Sequence, residues 1–247
     1  MQETTIVVPC YNEASRFQPE PFFEACLAQP ALSFVFVNDG SSDDTFGVLS
    51  QLASRLPERM SVLRLEANAG KAEAVRRGVL RAFESSASLV GYWDADLATP
   101  LYNIERFALF FERSAVQLVM GSRVRLLGRD VRRSALRHYI GRGFATVAAL
   151  ALRLPVYDTQ CGAKLFRANS TFREIFSVPF ELGWSFDIEL LARMLRSIRS
   201  LGADPEQQIV EVPLDAWIDA PGSKLRPSHF PRIAWELGRL LVIARRD

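Results

Sequence analysis

Through the first half of the chain, short apolar runs alternate with longer stretches in which apolar residues recur at helical spacing. Residues 5–9 (TIVVP), 33–38 (SFVFVN), 61–65, 89–93 (LVGYW) and 117–121 are short, β-branched or aromatic, and bounded by turn residues, which predicts buried strands. The stretches between them, 21–28, 43–55, 70–84 and 100–112, read as helices. This order predicts an α/β fold with a mostly parallel sheet, covered by helices on both faces and built with right-handed crossovers. Continuous apolar strands agree with a sheet that is buried on both sides.

After Ser122 the pattern changes to a long arginine-rich, partly apolar segment, a loop DTQCG at 158–162, a helix over 186–199, a strand over 208–213 and a final helix from about 231 to 246. Neither an internal repeat nor a Gly/Ser linker divides the chain, so a single domain over 1–247 is expected, with a C-terminal elaboration. Composition fits a packed domain: of the 247 residues, 49% are hydrophobic and 23% charged. That apolar fraction excludes a disordered chain. The two histidines, His138 and His229, rule out a His-cluster zinc site, leaving carboxylates to hold any metal. Cys10, Cys26 and Cys161 are odd in number and lack CxxC spacing, so a disulfide framework is not expected and a reducing compartment is. The N-terminus does not read as a secretory signal, and the longest apolar window, 144–152, is about half of a membrane span.

The net charge of +2 conceals a split. Up to Ser122 there are 10 basic residues against 15 acids, a net of −5, and from Arg123 onward 20 against 13, a net of +7. Between Arg123 and Arg153 stand eight arginines and one acid, Asp130. Such a patch can attract nucleic acid, an anionic membrane or a phosphorylated substrate.

In open parallel sheets, ligands bind beyond the carboxyl ends of the strands. The loops there are Cys10-Tyr11-Asn12-Glu13, Asn38-Asp39-Gly40-Ser41-Ser42-Asp43-Asp44 and Asp94-Ala95-Asp96. Two carboxylates two residues apart at a strand end suit a hard cation and the phosphate oxygens beside it, so Mg²⁺ or Mn²⁺ is expected at Asp94 and Asp96. Ser41 with Asp44 reads as a helix capping box, whereas Asp39 is an acceptor-only group able to take N–H donors from a nucleobase. Asn68-Ala69-Gly70-Lys71 fails as a phosphate loop, because Leu65 stands where glycine is required and no Ser or Thr follows the lysine. GxGxxG and GxSxG are absent, which removes the main arguments for a dinucleotide oxidoreductase or a serine hydrolase.

The ordered motifs VVPCYNE, VNDGSSDDT, NAGKAEAVRRG, DADLATP, GSR, DTQCGAKLF, WSFDIELL and GSKL resemble those of glycosyltransferase family 2 enzymes of GT-A fold, and more closely the polyprenyl-phosphate branch. DTQCG together with WIDAPGSK is more similar to dolichyl-phosphate β-glucosyltransferases than to dolichol-phosphate mannose synthases. The resemblance implies a nucleotide-sugar half at 1–122 and an acceptor half at 123–247. It implies that Pro9, Tyr11 and Glu13 line the nucleotide pocket, that Asp39 meets the base and that Asp94 meets the sugar or ribose. Asp96 would ligate the metal and Lys224 would reach the diphosphate. Arg123 and Arg137 fall where the family places arginines at the acceptor phosphate, and Asp158 and Gln160 lie in the loop facing the reaction centre. Ala98 stands where mannose synthases often carry Gln, and Ile218 where they carry Arg, which argues against assuming GDP-mannose.

An inverting transfer of glucose from UDP-glucose to a polyprenyl phosphate at the cytoplasmic membrane face is the implied activity. A phosphate acceptor is already ionised and needs no strong base, whereas a sugar hydroxyl would, with Asp187 of WSFDIELL the candidate. Asp187 also reads as a helix N-terminal acid favoured by the macrodipole. Transfer from GDP-mannose, transfer to a glycan and a non-catalytic nucleotide-sugar or lipid-binding module are the alternatives. Residues 131–154 and the final helix are amphipathic and could lie on a bilayer with arginines toward lipid phosphates, or simply pack on the sheet. Nucleic-acid binding is not expected, because no recognition motif is present.

Overall fold

The computed structural model describes residues 1–132 and 135–218, with Glu236, Gly238 and Arg239. All five strands expected in the first half form, as β1 (Thr4–Cys10), β2 (Leu32–Asp39), β3 (Met60–Leu65), β4 (Leu89–Trp93) and β5 (Leu118–Ser122). Between them run α1 (Pro19–Ala28), α2 (Thr45–Ser54), α3 (Lys71–Ala82) and α4 (Tyr102–Leu109), the last continued by a 3-10 turn over Phe110–Glu112. The second half adds β6 (Asp130–Arg132), α5 (Ala135–Leu152), β7 (Ala163–Arg167), α6 (Ser170–Ser177), α7 (Phe186–Ser200), α8 (Pro205–Gln208), β8 (Ile209–Pro213) and β9 (Ala216–Ile218). The helix expected over 231–246 lies outside the described residues, apart from Glu236, Gly238 and Arg239.

Seven strands form the main sheet in the order β3-β2-β1-β4-β7-β5-β8, and β6 pairs with β9 in a separate ribbon. The sheet is mostly parallel, as the alternation predicts, with β7 antiparallel to both β4 and β5. That reversal sets where the chemistry gathers. Because β7 runs backwards, the loop that precedes it, rather than the one that follows, lies at the edge where β1, β2, β4, β5 and β8 end. Trp93 therefore stands opposite Ala163, and the DTQCG loop meets the DAD loop. Residue 122 is not a boundary in the sheet, since β7 and β8 pair with β4 and β5.

Strand residues alternate between two cores, as the period of two requires. Ile6, Val8, Phe34 and Phe36 pack toward α1, α2 and α4, where Phe17, Phe22, Phe34 and Phe36 have ring centroids 5.2–5.8 Å apart. Val7, Val35, Val37 and Tyr92 pack toward α3, α6 and α7, where Phe166 stacks on Phe172 at 4.5 Å and on Phe176 at 5.3 Å. Among the described residues no helix is long and apolar enough to cross a membrane. Leu126, Leu127, Val147 and Leu150, around β6 and along α5, nevertheless present apolar side chains to solvent.

Candidate functional site

The site is a rim of loops on the sheet edge just described. At its first wall, short polar side chains latch the ends of β1 and β2 together. Asn12, at a φ of 53°, donates its backbone N–H to Ser41 Oγ at 3.0 Å, and its side-chain oxygen accepts from the Ser42 N–H at 2.9 Å. Thr45 Oγ1 accepts from the Glu13 N–H at 2.8 Å, and Asp43 accepts from the Ala14 and Thr45 N–H groups. The expected capping box of Ser41 and Asp44 does not form: α2 begins only at Thr45, Ser41 is engaged by Asn12, and Asp44 makes no side-chain cap. Glu13 is buried and ion-paired with Arg16, while Tyr11 is 36% exposed at the mouth and Pro9 is half-buried in β1.

Asp39 is 3% exposed, and its two oxygens accept from the Ala69 N–H at 2.8 Å and the Gly70 N–H at 2.9 Å. It thus ties the β2 loop to the start of α3. The next residue is held to glycine by its surroundings: Gly40 has a φ of +60°, and a Cβ there would strike the Ala67–Asn68 backbone.

Asp94 and Asp96 form the floor. Asp94 takes an ion pair from Lys71 Nζ at 2.5 Å, and both side chains remain open to solvent. Asp96 is exposed and accepts from the Ala98 N–H at 3.0 Å across a tight turn in which Leu97 has a φ of 55°. Partial loss of hydration within the cleft, and then the neighbouring Asp94 charge, raise the Asp96 pKa above its ordinary value. At Lys71 lost hydration opposes the ammonium, and Asp94, Asp187 and Asp96 outweigh it, so that its pKa is raised. An excess of carboxylate oxygens at the floor fits a divalent cation. No cluster of three or more His, Cys, Asp or Glu converges among the described residues, so within that set a cation would rest on Asp94 and Asp96 with water completing its shell, as Mg²⁺ commonly keeps.

The opposite wall carries buried charge. Arg123, one residue past β5, makes a bidentate pair with Asp158, Nε to Oδ2 at 2.6 Å and Nη2 to Oδ1 at 2.8 Å, and its backbone N–H donates to the same carboxylate at 3.0 Å. Burial disfavours the guanidinium, and Asp158 more than offsets this, raising its pKa. Asp158 is placed in turn by Glu211 of β8, which accepts from the Tyr157 and Asp158 N–H groups at 2.8 and 2.6 Å. Trp217 of β9 lies under the Arg123 guanidinium at 5.5 Å, and Ile218 donates its N–H to the Ala98 carbonyl at 3.4 Å. The two positions that depart from the mannose-synthase pattern are therefore neighbours. The Gln160 N–H is turned back onto Asp158 at 3.2 Å. Burial pushes the Cys161 thiol up to about 11, so this neighbour of Arg123 stays a thiol at neutral pH.

Asp187 lies behind the floor, 3% exposed in the first turn of α7. It accepts from Tyr92 Oη and from Lys164 Nζ, the latter at 2.5 Å. Glu236 steadies the same helix start by accepting from the Trp184 and Ser185 N–H groups and from Ser185 Oγ at 2.6 Å. Arg137 belongs to α5 with its side chain outside the described set, and Lys224 lies outside the described residues.

The family model of glycosyl transferase family 2 matches residues 5–172, from β1 into α6. The chain belongs to glycosyl transferase family 2. Relatives of the family agree over nearly the whole length: a dolichyl-phosphate beta-glucosyltransferase of Trichomonas vaginalis, ALG5C, is 30% identical over 98% of this chain and 72% of its own. The dolichyl-phosphate beta-glucosyltransferase of Drosophila melanogaster is 31% identical over 91% of this chain and 70% of its own, and that of Homo sapiens 29% over 92% and 70%. Among solved structures, glucosyl-3-phosphoglycerate synthase of Mycobacterium tuberculosis in complex with Mn²⁺, UDP-glucose and phosphoglyceric acid superposes with a TM-score of 0.69 at 19% identity, over 98% of this chain and 79% of that one. The fold is GT-A, and the chain is an enzyme of the family.

Three members of this family site escape the sequence reading. Lys71 had a signal: a lysine on the first residue of a helix opposes the macrodipole unless an acid answers it, and Asp94 does. Lys164 interrupts the apolar strand β7, which hides the strand and the charge together, whereas Glu211 sits inside the expected strand over 208–213 with nothing in the sequence to mark its role.

Proposed function

We propose that the enzyme transfers glucose from UDP-glucose to a polyprenyl phosphate of the dolichyl type, with inversion at the sugar, on the cytoplasmic face of a membrane. The observation that carries this reading is the 30% identity, over 98% of the chain, to a dolichyl-phosphate beta-glucosyltransferase. The state of Asp187 supports it. A hydroxyl acceptor asks for a carboxylate able to take a proton, and Asp187 is occupied by Lys164 and Tyr92; a lipid phosphate arrives ionised and needs no base.

In this reading, the first wall receives the uridine against Pro9, Tyr11 and Glu13, with Asp39 near the base. A divalent cation, Mg²⁺ or Mn²⁺, held by Asp96 and Asp94 would supply Lewis-acid stabilisation of the departing diphosphate. Lys71 balances Asp94, and Lys224 reaches the diphosphate. Arg123 presents its guanidinium, already oriented by Asp158, to the acceptor phosphate, joined by Arg137 and by the Gln160 loop. Beyond that wall, a cavity of about 510 Å³ lies between the C-terminal half of α5 and the 153–157 turn, lined by Ala145, Ala149, Leu150, Leu154, Pro155 and Tyr157 among others. Its apolar lining suits an isoprenoid chain, and the exposed Leu126, Leu127, Val147 and Leu150 suit a bilayer surface.

The test is incubation of purified protein with labelled UDP-glucose, Mn²⁺ or Mg²⁺ and a polyprenyl phosphate in detergent. Label passing into an organic-extractable, acid-labile product is the expected result. Label appearing on a water-soluble saccharide, or transfer from GDP-mannose but not from UDP-glucose, would overturn it.

A further inference from the structure

Lys164 is fully buried as the second residue of β7, a place where a lone ammonium is among the costliest groups a protein can hold. All three of its N–H donors are used. One meets Asp187 Oδ1 at 2.5 Å, and the other two meet the Thr159 and Cys161 carbonyls at 3.0 and 2.7 Å. Tyr92, its partner across the strands, donates to the same Asp187 oxygen and places its ring 5.4 Å from the ammonium. A buried ion pair of this kind seldom adds net stability over apolar residues of equal volume. Two of the three bonds go to the active-site loop, which gives the pair a different use.

The two carbonyls flank Gln160 and stand between the loop's working ends. At one end Asp158 orients Arg123. At the other the Gly162 carbonyl accepts from the Asp94 N–H at 3.1 Å, and a Cβ on Gly162 would collide with the Asp94 carboxylate. The loop thus spans from the arginine wall to the acidic floor, and Lys164 grips its middle from below.

We propose that Lys164 is a positioning residue: its ammonium, anchored by Asp187, sets the distance between Arg123 on the acceptor side and Asp94 on the donor side. The assignment of those two sides rests on the function proposed above. Asp187 then serves as the anchor of Lys164 and not as a base. A displacement of about 1 Å between reacting groups can cost about a hundredfold in rate, so loss of this grip should appear in kcat.

The experiment separates grip from fold. Lys164→Met and Asp187→Leu singly leave one buried charge without its partner and are expected to lower the urea unfolding midpoint. The double variant Lys164→Met/Asp187→Leu removes both charges and is expected to recover most of that midpoint. Its kcat should remain about a hundredfold low, with UDP binding in the presence of Mn²⁺ within about threefold of the parent. Hydrogen exchange at the Gln160–Gly162 amides should be at least tenfold faster. Should the double variant not fold, Lys164→Met/Asp187→Asn takes its place, keeping an acceptor for Tyr92 Oη but no donor for either carbonyl, with the same expectations.

Recovery of kcat together with stability would overturn the proposal, as would low kcat with unchanged loop exchange. Failure of the parent to glucosylate a polyprenyl phosphate would instead strike the proposed function, and the exchange measurement would still decide the role of Lys164.

Discussion

The rim around Asp94 and the wall around Arg123, donor and acceptor sides in the proposed function, carry charge in opposite ways. At the rim, Lys71 and Asp94 are 42% and 37% exposed, and Asp96 is open to solvent. In the wall, the side chains of Arg123 and Asp158 retain 15% and 10%, and behind the floor those of Lys164 and Asp187 retain 0% and 5%. An exposed pair contributes little to folding, so the rim can exchange its partners for the cation and diphosphate of the proposed reaction at small cost. A buried pair is costly to break, so the wall keeps one geometry. The difference divides labour: ligand charge is met where protein charge is replaceable, and orientation comes from where it is not.

The sharpest test of that division is Asp96→Asn. Loss of this carboxylate should lower transfer by about a thousandfold, or ~4 kcal/mol of transition-state stabilisation. Stability should stay within about 0.5 kcal/mol, because the side chain is exposed and its removal relieves repulsion with Asp94. Turnover and urea denaturation of the same preparation check both halves. A large stability loss would erase the contrast between rim and wall.

Asp158→Ala should behave in the reverse sense. It strands the Arg123 guanidinium and frees the Arg123 and Gln160 N–H groups. Destabilisation of about 3 kcal/mol is expected, read as a lower urea midpoint with an unchanged slope. A midpoint within error of the parent would show that water replaces the carboxylate and that the wall is as plastic as the rim.

The same contrast governs what could be read from the sequence. The rim was legible because its residues sit in loops after clean apolar strands, where an acid has no packing reason to be: Asp39, Asp94 and Asp96 stand out on that ground alone. The wall was legible only in part. Arg123 and Asp158 lie 35 residues apart in the chain, and their pairing depends on the reversal of β7, which Lys164 and Arg167 conceal by breaking a five-residue strand. The capping box misled because Ser41 and Asp44 match a local pattern, whereas Asn12, 29 residues away in sequence from Ser41, claims the serine. Long-range hydrogen bonds between loops leave no periodic trace.

The smallest effect, and the one that reaches deepest into the wall, belongs to Glu211. Burial raises its pKa, opposed by the Tyr157 and Asp158 N–H groups it accepts from and assisted by the Asp158 charge. An acid whose pKa is higher folded than unfolded takes up its proton first in the folded state, so its contribution is largest below the unfolded value near 4.5 and declines as pH rises through the folded one. The urea midpoint of the parent relative to Glu211→Gln should therefore fall as pH rises from about 4.5 toward 7. The glutamine keeps one acceptor for two N–H donors, which costs about 1 kcal/mol at every pH and shifts the comparison without tilting it. A gap that widens with pH would mean that the two amides outweigh burial. The wall would then gain from its charges as well as being oriented by them.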